Sequence, residues 1–300
     1  MRLLPPRSIF VLAAMLATCA ALLATFACAQ GTASTNAGAT PNPNRIVSLD
    51  VCADQLLIEL VGRERIAAVT FLAADPAVSA IPAKAKGLPI THGAAEDVLR
   101  YDPDLILAGQ FGVSATVDLL RRLKRNVVIV PLASDLDGVR AAVRIVAGAV
   151  GEGPRGEAMT AAFDRRLAGL ASPAHAATPP TAIVYQVGGS VSGPGSLAEA
   201  ALVAAGFRNK VAEYRLTRNG QVPLELLVAA PPDLLVLSSA VDEYRTALAD
   251  NLRHPVLRRL RQSHASLELP WQLWLCGTPN IADAIERLAA ARGRLEARAR

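Results

Sequence analysis

Glu96 stands seven residues before Pro103-Asp104-Leu105-Ile106-Leu107, and Glu225 stands seven before Pro232-Asp233-Leu234-Leu235-Val236. The two copies are offset by 129 residues at both the glutamate and the proline. Each reads as a helix carrying a glutamate near its start, a proline stop, and a buried strand opened by an aspartate. A single Pro-Asp-Leu before a strand is ordinary strand-edge punctuation. Two copies with a glutamate in register predict two lobes of similar plan.

Around the first copy, short apolar runs alternate with amphipathic stretches. The pattern predicts a strand at Arg45–Leu49, a helix at Ala53–Val61, a strand at Arg65–Val69, a helix at Ala94–Tyr101, a strand at Asp104–Ala108, a helix at Val113–Leu123 and a strand at Asn126–Val130. Such alternation is the signature of an α/β lobe with a mostly parallel sheet. Helical sequence follows at Leu136–Val150 and, after Gly151-Glu152-Gly153-Pro154, at Arg155–Leu170. Gly151 suits a helix stop and Pro154 a helix start. The stretch from Ala171 to Pro180 reads as a loop. Alternation then resumes around the second copy, with a strand at Ala182–Val187, helices at Leu197–Ala205 and Leu224–Ala230, and a strand at Asp233–Leu237. Short helices across Tyr244–Arg261, a strand at Ser266–Leu269 and a final helix at Ile281–Ala291 complete it. The expected organisation is an N-terminal α/β lobe at 45–152, a connecting helix at 153–172 and a C-terminal α/β lobe at 181–292.

Ahead of the lobes, Arg2 and Arg7 precede an apolar run from Ser8 to Phe26 that ends at Ala27-Cys28-Ala29. This reads as a signal peptide over 1–29, cleaved near Ala29 and directing the chain to the periplasm. A lipid-modified Cys28 is the weaker alternative, because Thr25-Phe26-Ala27 lacks the usual aliphatic residue three positions upstream. Residues 30–44, rich in Thr, Ser, Ala, Asn and Pro, read as a flexible leader. The 300-residue chain carries 31 Lys and Arg against 26 Asp and Glu, and losing Arg2 and Arg7 leaves an excess of +3. That mild excess, dispersed over helices, gives no footprint for nucleic acid. No second stretch is long and apolar enough to cross a bilayer.

Arg45-Ile46-Val47-Ser48-Leu49, the paired Glu-x6-Pro-Asp-Leu segments, the helix between the two alternations, and Tyr185-Gln186-Val187-Gly188 ahead of a glycine-rich loop together resemble the periplasmic binding proteins for ferric siderophores and cobalamin. The likeness runs from Arg45 to Ala291 and rests on the order and spacing of the segments. It implies two Rossmann-like lobes with mostly parallel sheets, joined by one long rigid helix, with a ligand cleft between them. It also implies a monomeric, non-enzymatic binding protein without a cofactor. Such a protein captures a metal chelate and delivers it to the permease and ATPase of an ABC importer in the inner membrane. In that family a glutamate on the tip of each lobe docks onto permease arginines, and Glu96 and Glu225 stand at the matching positions. Two carboxylates far apart on a rigid body define an orientation, and charge-assisted pairs supply direction more than affinity. Alone, either glutamate would read as a first-turn acid complementing the helix dipole.

Ligands of open α/β sheets bind beyond the carboxyl ends of the strands, and pockets favour interfaces between lobes. Both rules nominate Asp50 to Cys52, His92, Gln110 with Phe111, Gln186, and Trp271 to Cys276 as cleft lining, and the resemblance places ligand contacts on the same loops. Trp271 and Trp274 are candidate apolar platforms for a flat chelate or corrin, with ordinary core packing as the bland alternative. His92 is a cleft-loop candidate, whereas His175, His254 and His264 suggest no metal cluster, and direct binding of a bare ion would need several convergent ligands. Cys52 and Cys276 are the cysteines left after processing. An oxidising compartment favours their pairing, which would tie the lobes across the site and restrict opening and access. Two reduced thiols touching the ligand remain the alternative.

A nucleotide-binding or other small-molecule enzyme of Rossmann-like fold is the competing function. Gly193-Pro194-Gly195-Ser196-Leu197-Ala198 fits the dinucleotide pattern G-x-G-x-x-A, with Glu213 a plausible distance on. Yet Pro194 occupies the tight turn and five residues separate the motif from its strand. Cys52 with His92 lacks an orienting third residue, and there is no Gly-x-Ser-x-Gly, P-loop lysine or His-Glu-x-x-His. Among chelates, Arg215 and Arg218 on the second lobe's rim would favour an anionic ferric siderophore. Trp271, Trp274, Gln110 and Gln186 would favour cobalamin. The ferric chelates, as the larger group, stand first.

Overall fold

The computed structural model describes residues 42–170, 178–238, 252 and 254–299. The expected signal peptide, most of the expected leader, His175 and the front part of the 244–261 stretch lie outside the described residues.

The first sheet contains β1 (Ile46–Ser48), β2 (Ile66–Thr70), β3 (Ile90–Thr91), β4 (Leu105–Gly109) and β5 (Val127–Val130). Their order is β3-β2-β1-β4-β5, with every neighbouring pair parallel. The second sheet contains β6 (Thr181–Tyr185), β7 (Ser190–Val191), β8 (Arg208–Asn209), β9 (Gly220–Gln221), β10 (Leu234–Ser238) and β11 (Ala265–Leu269). There β11, β10 and β6 are parallel, β8 pairs parallel with β6, and β7 and β9 form an antiparallel edge. The fold is therefore two α/β lobes with largely parallel sheets, as the alternation predicts. The two-residue strands β3, β7, β8 and β9 escape sequence reading, since two residues carry no periodicity.

Both sheets are covered on both faces, which is why their long strands read as continuous apolar runs. In the first lobe, Ile46, Leu105 and Leu107 pack against the Val51–Leu60 and Leu136–Ala149 helices. The alternate residues Val47, Ile106 and Ala108 pack against Val98, Val117 and Leu120 on the other face. In the second lobe, Ala182, Val184, Leu234 and Val236 meet the Leu197–Ala204 and Ile281–Ala299 helices. Ile183, Tyr185, Leu235 and Leu237 meet Leu227, Leu257 and Leu260. The final helix runs to Ala299, eight residues beyond the expected end at Ala291.

The repeated aspartates have a shared task. Asp104, at the start of β4, accepts the backbone N–H groups of Asn44 and Arg45 just ahead of the neighbouring β1, at 2.8 and 3.1 Å. Asp233, at the start of β10, accepts the backbone N–H and the hydroxyl of Thr181 at the start of the neighbouring β6, both at 2.7 Å. Each carboxylate satisfies donors at a strand end that would otherwise lack a ladder partner.

The chain passes from one lobe to the other through the Gly153–Ala168 helix, close to the expected position. The Leu136–Ala149 helix packs along the Gly153–Ala168 helix, with Gly151 at φ +75° turning the chain between them. Val143, Val146 and Ala147 of the first helix belong to the N-terminal core. Val139, near its start, and Phe163 of the second helix belong to the C-terminal core. Arg166 then pairs with Asp283 and Glu286 of the last helix, at 2.6 and 2.8 Å. Residues 42 onward form one compact unit. Among the described residues no helix is long and apolar enough to cross a membrane.

Candidate functional site

In each parallel sheet the carboxyl ends of the strands face a common opening. Beyond β1, β4 and β5 lies a cavity of about 60 Å³ lined by Asp50, Cys52, Gln110, Phe111, Leu132 and Ala133, with Gly277 reaching it from the second lobe. Leu132 and Ala133 are shared with a second cavity of about 330 Å³. Its other walls are Gln186, Ser190, Ser192, Ser196 and Asn219 on one side and Trp271, Trp274 and Leu275 on the other. The two cavities form one interlobe cleft.

Cys52 and Cys276 are joined in a disulfide with Cα atoms 5.1 Å apart. Cys52 lines the smaller cavity together with Leu132 and Ala133, and Cys276 is buried. Gly277 lies directly on Ala133, where any Cβ would overlap the alanine methyl.

Asp50 caps the Val51–Leu60 helix: its Oδ1 accepts the N–H groups of Cys52 and Ala53, both at 2.9 Å. The cap starts this helix two residues earlier than its apolar pattern suggests and places Cys52 in the first turn. Gln110 accepts the Leu132 N–H at 3.4 Å, and Phe111 stands 69% exposed beside the cavity. On the opposite wall, Ser196 caps the Leu197–Ala204 helix and Glu199 reaches back to the Gly195 N–H, a close variant of the capping box. Asn219 accepts the Gly193 N–H at 2.9 Å, which fixes the loop over the cavity.

His92 does not line either cavity. It lies exposed just past β3, its N–H held by Asp97 at 2.8 Å, and its ring stacks on Phe71 with centroids 5.1 Å apart. Phe71 follows the adjacent β2, so the pair stands on the same strand-end rim as Asp50. Hydrogen bonds from the Thr91 hydroxyl and the His92 N–H, with help from Arg100, hold the Asp97 carboxyl below the ordinary carboxylate range. Asp54, two residues beyond Cys52, is fully buried and accepts the Thr70 N–H and hydroxyl at the end of β2. Burial pushes its pKa up to about 7 against the pull of hydrogen bonds from Ser48 and Thr70.

The two tryptophans part company. Trp274 is 5% exposed, sits in the C-terminal core with Leu197 and Ile281, and its indole N–H has no hydrogen-bond partner. Trp271 is half-buried and presents area to the cavity. Arg215, in a left-handed conformation at φ 62°, and Arg218 line neither cavity. Among the described lining residues Asp50 is the one ionisable side chain. Glu96 and Glu225 are exposed in the first turns of the Ala95–Leu99 and Leu224–Ala229 helices.

The dinucleotide alternative fails on topology. The strand ahead of Gly193 is β7, antiparallel to β6, so the glycine loop does not open a parallel βαβ unit. Glu213 is engaged with Lys210 and Arg208 instead. Sequence reading missed Phe71, Leu132, Ala133, Ser190, Ser192, Ser196 and Asn219. The strand-end rule applied to β2 and β5 would have found the first three; Ser190, Ser192 and Asn219 lie in or beside strands too short to recognise, and Ser196 caps the helix after them.

The family described as periplasmic binding protein matches residues 46–261, from β1 into the Pro255–Ser263 helix. A cobalamin-binding protein of Halobacterium salinarum is 30% identical over 208 residues, 67% of this chain. The match spans 55% of that relative's length. The periplasmic heme-binding protein RhuT of Roseiflexus sp. RS-1, in apo form, superposes with a TM-score of 0.69 at 25% identity, covering 84% of this chain and 98% of that one. The periplasmic vitamin B12 binding protein BtuF of Vibrio cholerae gives 0.65 at 18% identity over 85% and 98%, a likeness of fold. These relatives are binding proteins, not enzymes. With the family pattern laid over the two parallel-sheet lobes and the cleft between them, this chain belongs to the periplasmic binding proteins of the siderophore, haem and cobalamin type.

Proposed function

We propose that this chain is the substrate-binding component of an ABC importer, working in the periplasm after loss of its signal peptide, and that its cargo is a corrinoid. One observation carries the choice of cargo: the larger cavity is walled by Trp271 and by Gln186, Ser190, Ser192, Ser196 and Asn219, with no cationic side chain among its described lining. Neutral amides and hydroxyls beside an aromatic face suit a flat macrocycle fringed with amides. An anionic ferric chelate calls for arginine, and Arg215 and Arg218 stand away from both cavities. The 30% identity to a cobalamin-binding protein supports the same choice, against the ferric siderophore that the sequence places first. Asp50, Gln110 and Phe111 would meet the ligand from the N-terminal lobe, and Glu96 and Glu225 would meet the permease. Haem has one specific observation in its favour, the exposed His92 imidazole stacked on Phe71, which offers a donor to a metal centre. Calorimetric titration of the processed protein with cyanocobalamin, hemin and a ferric hydroxamate tests the proposal. Saturable 1:1 binding of cyanocobalamin is expected, while tight hemin binding without cyanocobalamin binding overturns it.

A further inference from the structure

We infer that the Cys52–Cys276 disulfide is the positioning element of the cleft, fixing the placement of one ligand-binding wall against the other. The inference rests on the cleft just described being the binding site. Cys52 lies two residues from Asp50 in the first turn of the Val51–Leu60 helix. Cys276 lies two residues from Trp274, directly after the Gln272–Leu275 helix. The bond therefore joins the two walls through very short lengths of chain, although the cysteines are 224 residues apart in sequence.

Without it, the described connection between the lobes is the helical hairpin at Leu136–Ala168 together with the packing of Gly277 on Ala133. Lobes joined covalently at one region, and elsewhere only by packing, can still twist and slide about that region. A second covalent attachment at a different place restricts relative motion to rotation about the line between the two. Register between Asp50, Gln110 and Phe111 on one wall and Trp271 on the other is then set before ligand arrives. Preorganisation of this kind lowers the ordering cost of binding, and its loss appears chiefly in the dissociation rate. Cys276 is buried, whereas Cys52 borders the N-terminal cavity, so that sulfur is the one a dithiol meets. Attack there forms a mixed disulfide and frees the Cys276 thiol. Ring closure of the reductant then frees Cys52, two electrons and two protons having passed to the protein.

The test compares the oxidised protein, the same protein reduced by a dithiol, and the Cys52→Ser/Cys276→Ser variant. Spin labels on genetically encoded keto amino acids at the exposed positions Asp118 and Val203, one per lobe, report the interlobe distance without using thiols. Expected is a narrow distance distribution in the oxidised protein that broadens in the other two, at a temperature where circular dichroism shows both folded, and narrows again on reoxidation. The dissociation rate of cyanocobalamin should rise about tenfold or more in parallel. Identical distributions in all three overturn the inference, as does an unchanged dissociation rate alongside a lower melting temperature, since a bond that only stabilises would give that pattern. If the double variant fails to fold, the reduced natural protein supplies the comparison. Failure of cyanocobalamin to bind the oxidised protein sinks the corrinoid proposal alone, and the distance measurement, which needs no ligand, then decides.

Discussion

Thr181 gives both its backbone N–H and its hydroxyl to Asp233, at 2.7 Å each, and so fastens the start of β6 to the start of β10. In the other lobe Asp104 fastens the chain entering β1 to β4. The Pro-Asp-Leu repeat is thus a strand clasp used once per sheet, which is a physical reason for the two copies to share a spelling.

Asp233→Ala should lower unfolding stability by about 1.5–3 kcal/mol, the range for hydrogen bonds to a charged group. Burial raises the Asp233 pKa, but the Thr181 hydrogen bonds and the charges of Lys210 and Arg208 outweigh it and hold the folded value below 3.8. A depressed folded value means that the contribution is complete above 3.8 and is lost as pH falls through the folded value. The gap in melting temperature between wild type and variant should therefore be full at neutral pH and shrink in strong acid; a constant gap would refute the clasp.

Asp54 has the opposite sign. Its folded pKa is raised from 3.8 to about 7, so the stability it contributes is present below 3.8 and lost as pH rises through about 7. The wild type should lose on the order of 2–4 kcal/mol across that window, whereas Asp54→Asn, which cannot ionise, should show a flatter profile. Denaturant titrations at several pH values measure both curves.

Trp271→Ala should weaken cyanocobalamin binding by about 1–3 kcal/mol, by analogy with bases stacked on aromatic rings, with little change in melting temperature. That is roughly a 5- to 150-fold loss of affinity. Trp274→Ala, which empties a core position, should instead cost about 3–5 kcal/mol of stability. Titration paired with thermal unfolding separates the two, and equal behaviour of both variants would contradict the division between platform and core.

Glu96→Ala and Glu225→Ala should leave ligand affinity intact while slowing uptake about 2- to 5-fold apiece, the worth of an exposed ion pair. Being on different lobes, the two effects should multiply in the double variant. Uptake by the double variant at the wild-type rate would remove these glutamates from the docking surface.

The long elements were legible because their periodicity repeats: every strand of four or more residues, and the helices of five or more residues from Val51–Leu60 to Leu197–Ala204, stand within two residues of their expected ends, while the four-residue Pro82–Ala85 helix was not foreseen. The site was legible only where a recognised strand pointed to it, as β1 does to Asp50 and Cys52 and β4 to Gln110 and Phe111. The C-terminal wall was half hidden. Ser190 opens and Ser192 follows the two-residue β7, Asn219 precedes the two-residue β9, and Arg215 drew attention by its charge while it lines neither cavity. The tryptophans could not be told apart before their burial was known.

The division of the core bears on the order in which the molecule is built. Nearly all side chains in the two N-terminal clusters lie between Ile46 and Val150, so that lobe holds its complete interior once synthesis has passed the first half of the chain. The C-terminal interior requires Ile281, Ile285 and Leu288, which are made well after Val150. The first lobe can condense early, as N-terminal domains do, and Cys52 then waits as a thiol until Cys276 emerges. Between Cys28 and Cys276 the sequence holds no cysteine but Cys52, so if residues 1–29 are removed as the sequence leads one to expect, the waiting thiol has Cys276 as its partner and no wrong bond within these residues to undo. Its remaining hazard is then another unfinished copy, which makes crowding of nascent chains, rather than shuffling within one chain, the threat to correct closure.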